Sequence, residues 1–142
     1  ANIGITPIIS IGSADLHSVG QLYLGGPKDK FTTFVSALEN NKEVVIPKDF
    51  VFPDLVEGIE GKKLADIMNA ILSGVKKAYK NKNIPFTEII LEDINEYSLG
   101  QFLQFKMFET MYLAHLFGVN AFDQPNVEDY KKETRRILSK DK

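Results

Sequence analysis

The segment KKLADIMNAILSGVKKAYKNKNIPFTEIIL, residues 62–91, decides the fold. Residues 62–80 place apolar side chains three or four positions apart, which predicts a helix with one apolar face; these side chains are Leu64, Ile67, Met68, Ile71, Leu72, Val75 and Tyr79. Residues 81–85 contain Asn and Pro and end this helix. Residues 86–91, FTEIIL, then predict a strand. A long helix that leads directly into a strand is the building unit of α/β folds.

Three further strands are predicted upstream of this helix. Residues 5–11, ITPIISI, form an apolar run rich in β-branched side chains, which is typical of a buried strand. Residues 31–38, FTTFVSAL, alternate as a strand does, and residues 43–47, EVVIP, are another candidate. Residues 48–57 show no clear period and are predicted to be a loop.

The longest helix is predicted over residues 98–118. Ser98 and Gln101 have the spacing of a capping box at its start, and Gly118 ends it. Its apolar side chains fall on most sides, so we expect the helix to be buried on more than one face; they are Leu99, Phe102, Leu103, Phe105, Met107, Phe108, Met111, Tyr112, Leu113 and Leu116. Residues 126–139 predict a last, amphipathic helix with a charged outer face.

Strands that alternate with long helices predict an α/β domain with a mostly parallel sheet. The chain has no internal repeat or linker, so residues 1–142 are expected to form one domain. In such sheets ligands bind beyond the carboxyl ends of the strands. The loops after Ile11, Leu91 and Gly118 are therefore the candidate positions for a site.

Composition excludes several classes of function. The net charge of −2 provides no basic surface for nucleic acid, and no apolar run approaches the roughly 20 residues that span a bilayer. The absence of cysteine excludes disulfides, thiolate metal sites and cysteine nucleophiles. The start of the sequence has no signal-type segment and no initial Met, so we expect a truncated piece of a longer protein, with Ala1 and Asn2 as cloning remnants.

A helix over residues 14–24 carries the first candidate for chemistry, His17. Ser13 or Asp15 is expected to cap this helix, and residues 25–27, Gly-Gly-Pro, end it. An imidazole placed directly after a strand can pass a proton near neutral pH. The alternative is a partly buried structural histidine that bonds a backbone carbonyl, and the residue alone favours that alternative.

The start of the last helix carries the second group of candidates. Asp123 or Asn126 can cap it, and a capped helix start either binds an anion or has no ligand at all. Lys131 lies within reach of anything bound there. Glu128 and Lys132 have the spacing of a favourable ion pair, so a solvated charged face is the simpler interpretation of both lysines.

Two other groups are not expected to form sites. His115 lies on the apolar helix and is interpreted as a core or rim histidine with a satisfied partner. Glu92, Asp93 and Glu96 follow a strand, but no His or Cys lies near them, so no metal site is predicted.

The sequence resembles the glucose-6-phosphate isomerase family, in its bacterial and archaeal branch, from about residue 4 to residue 138. Two motifs carry the resemblance: DLHSVGQ at residues 15–21, and EYSLGQF…LFGVNAFDQPNVEDYKK within residues 96–132. The closing signature of the family is Gln, Pro or Trp, Gly, Val, Glu, two further residues and Lys. Asn126 replaces the usual Gly, and because Asn also tolerates left-handed backbone and helix caps, we expect little effect.

The resemblance implies the C-terminal sugar-isomerase (SIS) domain of the enzyme, a three-layer sandwich in which a mostly parallel sheet is flanked by helices. It implies that the complete enzyme interconverts glucose 6-phosphate and fructose 6-phosphate by ring opening and proton transfer through an enediol. His17 then matches the ring-opening histidine, Lys131 the lysine that assists ring opening and holds substrate hydroxyls, and Gln124 a substrate-contacting glutamine. No metal and no cofactor is implied.

The resemblance also implies that part of the site lies outside the chain. The general base of the family is a Glu in a Gly-Glu motif that would fall just before Ala1, and the loop that holds the phosphate belongs to the preceding domain. We therefore expect the chain alone to be inactive. The implied partners are the N-terminal domain of the same enzyme and a second copy in a cytoplasmic, glycolytic homodimer.

Two other functions are compatible with the sequence. A stand-alone SIS module would bind a sugar phosphate and regulate another activity without catalysis. A pure dimerisation element would use its apolar surface for assembly alone.

Overall fold

The computed structural model describes residues 4–38, 43–49 and 56–140. Within these residues the elements are a 3-10 helix Ala14–Leu16, α1 Gly20–Gly25, β1 Thr32–Ala37, α2 Leu64–Asn81, β2 Phe86–Leu91, α3 Glu96–Phe117 and α4 Pro125–Lys140. The chain divides into two compact units. The first unit is Pro7–Phe102, and the second contains the described parts of residues 1–6 and 103–142.

The first unit is built around a parallel pair of strands. β1 and β2 run in register from Thr32 opposite Phe86 to Ala37 opposite Leu91. A parallel pair needs a long crossover between its strands, and the connection from β1 to β2 contains α2. The strands predicted over residues 31–38 and 86–91 and the helix predicted over residues 62–80 are thereby confirmed. The chain is an α/β protein with a small parallel sheet flanked by helices.

Tyr79 of α2 packs on one face of this sheet and is only 2% exposed. Its ring lies 5.2 Å from that of Phe34 and 5.9 Å from that of Phe86, both edge-on, and the two phenylalanine rings are 5.3 Å apart. The Tyr79 hydroxyl is 3.1 Å from Oγ1 of Thr32, so its polar end has a partner. These three mutually edge-on rings lie at the core of this unit. Edge-on aromatic pairs add to the stabilisation that burial provides.

Two predicted strands are wrong. Residues 5–11 form no strand and are exposed, with Ile9 93% exposed. Residues 43–47 contribute only a single antiparallel bridge, from Val45 to Lys63. An apolar β-branched run becomes a strand only where another strand satisfies its backbone groups, and the sheet of the described residues has two strands. Of the loop predicted over residues 48–57, residues 50–55 lie outside the described part of the chain.

The helix predicted over residues 14–24 is divided into two short pieces, the 3-10 helix and α1. Ser13 precedes the 3-10 helix with a φ of 75° and makes no capping bond with its side chain. Asp15 lies inside the 3-10 helix and not ahead of it. The predicted continuous helix with a Ser13 or Asp15 cap is therefore wrong.

α3 confirms the longest predicted helix but starts two residues earlier. Oδ1 of Asn95 accepts the backbone N–H of Ser98 at 2.8 Å, so Asn95 is the cap in place of the predicted box of Ser98 and Gln101. The helix ends at Gly118 as predicted: φ there is 66°, and the following Val119 N–H bonds the Ala114 carbonyl at 2.9 Å.

The burial predicted for α3 on more than one face is wrong for this chain. Ala114 and Ser98 are buried, but many large apolar side chains are more than half exposed; they are Leu99, Leu103, Phe105, Met107, Phe108, Tyr112 and Leu116. α3 is thus as apolar as its sequence indicates, but these large side chains remain accessible to solvent among the described residues.

α4 confirms the predicted last helix, with charged side chains along much of its length. Its apolar residues Tyr130, Ile137 and Leu138 are each more than 60% exposed. Across the described residues, none of the helices combines the length and the apolar composition needed to cross a membrane.

Candidate active site

His17 directly follows the 3-10 helix Ala14–Leu16 and is exposed to solvent. Its backbone is helical, with φ of −78° and ψ of −27°. The partly buried histidine held by a backbone carbonyl, which the residue alone favoured, is therefore wrong. An exposed imidazole is accessible to a ligand and can exchange a proton with it.

Asp15 forms hydrogen bonds with residues on both sides of His17 in the sequence. Its carboxylate Oδ2 accepts the Ile11 N–H at 2.6 Å, and its own N–H donates to the Ile11 carbonyl at 3.0 Å. On the other side, its carbonyl accepts the N–H groups of Ser18 and Val19 at 3.2 and 2.9 Å. Sequence reasoning missed this role, because a carboxylate at the start of a helix predicts a cap and gives no sign of a bond to the preceding residues.

Gln124 directly precedes α4 and Lys131 lies seven residues later, a spacing of about two helical turns that places both residues on one side of the helix. Both are exposed. The Gln124 carbonyl accepts the Val127 N–H at 2.9 Å and so belongs to the first turn. An amide and an ammonium group on one accessible helix face can both donate hydrogen bonds to hydroxyl groups.

Glu128 stands between these two residues and contacts Lys131. Its Oε1 lies 2.9 Å from Nζ of Lys131, and its Oε2 lies 3.5 Å from the Arg135 guanidinium. The pair predicted between Glu128 and Lys132 is therefore wrong, because a residue three positions along a helix is as near as one four positions along. Lys131 is held by a carboxylate one turn away and remains about half exposed.

The other candidates have structural roles or none. His115 is exposed, which contradicts the core alternative of its interpretation as a core or rim histidine. Asp93 accepts the Ile94 N–H at 2.6 Å and the Asn95 side-chain amide at 3.1 Å, so the acidic loop after β2 helps to begin α3. Among the residues that the structure describes, no three His, Asp or Glu side chains are grouped so that they could hold a metal ion.

The sequence-predicted residues are divided between the two units. His17 belongs to the first unit, and Gln124 and Lys131 belong to the second. Gln124 directly precedes α4 and Lys131 lies within it, and the contact that the structure shows for Lys131 is with Glu128.

Comparison with known proteins gives this set of residues a context. No protein-family model matches the sequence. The chain is 33% identical over 135 residues to the glucose-6-phosphate isomerase of Methanocaldococcus jannaschii, and 37% identical over 139 residues to that of Mycoplasmopsis synoviae. Its relatives are glucose-6-phosphate isomerases. The alignments cover 95% and 96% of this chain, so the resemblance seen in the sequence is confirmed.

The chain spans about a third of the length of the isomerases it matches, 33% and 32% in these two cases. A solved structure, that of a hypothetical protein from Thermus thermophilus, superposes with a TM-score of 0.80 at 31% identity. That superposition covers 89% of this chain and 30% of the Thermus chain. The isomerase relatives and the Thermus protein are thus each considerably longer than this chain and contain a region that resembles it.

Proposed function

We propose that this chain is the C-terminal SIS domain of a glucose-6-phosphate isomerase, and that the complete enzyme interconverts glucose 6-phosphate and fructose 6-phosphate. The observation that carries the proposal is 33% identity over 95% of the chain to an enzyme of that name. The motifs at residues 15–21 and 96–132, which include all three candidate residues, support the C-terminal assignment.

The first step of the proposed reaction opens the sugar ring. The bond between C1 and the ring oxygen breaks, the ring oxygen gains a proton, and the C1 hydroxyl loses one to become the aldehyde. We assign the proton transfer to the ring oxygen to His17, whose imidazole is exposed and can act near neutral pH.

Lys131 and Gln124 are assigned to substrate binding. The Lys131 ammonium donates to sugar hydroxyls and stabilises the negative charge that develops as the ring opens. The Gln124 amide, seven residues earlier and directly before α4, donates to or accepts from a second hydroxyl. Both side chains are exposed on one face of the helix, as a pair that contacts one ligand requires.

The second step moves a proton from C2 to C1 through an enediol and needs a carboxylate base. The family places that base in a Gly-Glu pair, and no Gly-Glu pair occurs in these 142 residues. We therefore propose that the base lies upstream of residue 1 in the complete enzyme, that the phosphate-holding loop comes from the preceding domain, and that the chain alone does not turn over substrate. The reaction moves protons and leaves the overall oxidation state unchanged, so it requires no redox cofactor.

The proposed partner domain and second copy have a physical rationale in the exposed surface. The seven large apolar side chains of α3 named above are more than half exposed, and surfaces of this kind mark contacts with other protein surfaces. We propose that the complete enzyme is a cytoplasmic homodimer that acts in glycolysis and gluconeogenesis.

A coupled assay tests the proposal. The complete enzyme is expected to convert fructose 6-phosphate to glucose 6-phosphate, detected by a dehydrogenase that oxidises the product, and the chain alone is expected to be inactive. Turnover by the chain alone would contradict the assignment of the base to residues upstream of residue 1. Calorimetry with 6-phosphogluconate covers the alternative: tight binding by the chain alone, with no turnover by the complete protein, would establish a regulatory SIS module instead.

A further inference from the structure

We propose that Asp15 is a positioning residue for His17: it fixes the backbone from which the imidazole projects, without contacting substrate itself. The inference rests on the proposed role of His17 in ring opening. Asp15 precedes His17 by two residues and occupies the centre of the 3-10 helix that ends just before it.

The hydrogen bonds of Asp15 reach both sides of the helix. Upstream, Asp15 and Ile11 exchange two bonds, one through the carboxylate at 2.6 Å and one between backbone groups at 3.0 Å. Downstream, the Asp15 carbonyl accepts the N–H groups of Ser18 and Val19 and the Ser18 hydroxyl, the last at 3.2 Å. His17 therefore lies within a stretch that one residue anchors at both ends.

The segment needs such an anchor because its own secondary structure is weak. A 3-10 helix of three residues has only one turn and poor hydrogen-bond geometry, so it is not stable by itself. Ser13 adopts a φ of 75°, a conformation that L-residues rarely hold unless neighbouring contacts impose it. The bonds between Asp15 and Ile11 span Ser13, and the 2.6 Å contact between Ser10 and Tyr23 holds the chain just before it.

The imidazole depends on this backbone for its direction. Within the described residues His17 is exposed, and no hydrogen bond or ion pair is formed by its side chain. The backbone at residue 17 therefore determines the region of space that the imidazole can reach. A displacement of about 1 Å at a reacting group can cost a hundredfold in rate, so a loosened loop would lower kcat while substrate binding through other residues persists.

The experiment measures kcat and KM of the complete enzyme carrying Asp15→Ala, Asp15→Asn or His17→Ala, and the double variant of Asp15→Ala with His17→Ala. Asp15→Ala is expected to lower kcat about tenfold or more with little change in KM. Asp15→Asn keeps an oxygen that accepts the Ile11 N–H and is expected to recover most of the activity. Asp29→Ala is the matched control, because Asp29 is exposed in the same unit and pairs with its neighbour Lys30 at 2.5 Å.

The double variant separates positioning from general destabilisation. If Asp15 acts through His17, adding Asp15→Ala to His17→Ala lowers kcat no further. Equal losses in both backgrounds, or a wild-type kcat for Asp15→Ala, would overturn the inference.

Hydrogen exchange of the Ile11 and Val19 amides provides a readout that needs no activity. Asp15→Ala is expected to accelerate both, and Asp29→Ala neither. If the unaltered complete enzyme lacks isomerase activity, the proposed function fails, and unchanged amide exchange in Asp15→Ala would then overturn the anchoring role as well.

Discussion

The Nζ atom of Lys131 lies 2.9 Å from Oε1 of Glu128, one turn earlier on the same face of α4. The second oxygen of the same carboxylate lies 3.5 Å from Arg135, so Glu128 is held between two cations. Ion pairs between exposed Lys or Arg and Glu side chains are usually weak, because these long side chains lose conformational freedom when they pair. A carboxylate shared by two cations holds the Lys131 ammonium towards the N-terminal end of α4, where Gln124 precedes the helix.

Replacing Glu128 with Gln is therefore expected to affect activity more than stability. The neutral amide no longer holds Lys131, and kcat of the complete enzyme should fall several-fold. The stability change should stay below about 1 kcal/mol, because the pair is half exposed. Glu133→Gln is the control: Glu133 pairs with Arg136 at 3.3 Å on the same helix, and its loss should leave kcat unchanged. Equal effects of the two variants would show that Glu128 is an ordinary surface charge.

Lys131 and His17 themselves are expected to be essential for rate. Lys131→Met and His17→Ala should each lower kcat of the complete enzyme by about 100-fold, the usual contribution of a positioned acid–base or charge-stabilising group. Because both side chains are exposed, their thermal midpoints should stay near that of the unaltered protein. Lys132→Met, one residue further along α4, is the matched control and should keep its activity. Comparable loss in Lys132→Met would argue against a specific role for Lys131.

The helices α2, α3 and α4 could be predicted from their patterns of apolar and charged residues, and β1 and β2 could be predicted where each strand has a partner in the sheet. α2 and β2 were found because the apolar face of α2 meets the sheet through Tyr79, which is buried as its spacing predicted. Residues 5–11 have the composition of a buried strand but are exposed here, because composition cannot show whether a neighbouring strand is present.

Residue types alone were also insufficient to identify the candidate site residues. His17, Gln124 and Lys131 were selected by resemblance, since an exposed histidine and a surface lysine carry no distinctive pattern of their own. The bonds of Asp15 to Ile11 and of Glu128 to Lys131 depend on local backbone and side-chain geometry that residue types leave open. The partners that hold a candidate side chain are thus less predictable than the candidate itself.

A substitution at Tyr79 measures how much its hydroxyl contributes to the stability of the first unit. Tyr79→Phe removes the hydroxyl that lies 3.1 Å from Thr32 while keeping the ring against Phe34 and Phe86. We expect a loss of about 1 kcal/mol in the free energy of unfolding, the usual net value of one hydrogen bond. Denaturant titration measures it. Tyr112→Phe, at a tyrosine 71% exposed, should change little; an equal loss there would mean that the bond to Thr32 contributes nothing specific.

Gly118 and Gly100 provide a matched test of backbone conformation. A Cβ added at either position would meet no atom within 4 Å, so packing does not distinguish them. Gly118 has a φ of 66° at the end of α3, where an L-residue is strained, whereas Gly100 lies inside the helix. Gly118→Ala should therefore destabilise the chain by about 1 kcal/mol, and Gly100→Ala should stabilise it by up to about 1 kcal/mol. Thermal unfolding of the two variants under one set of conditions compares them, and a Gly118→Ala chain as stable as the unaltered one would show that α3 does not end in the left-handed turn at Gly118.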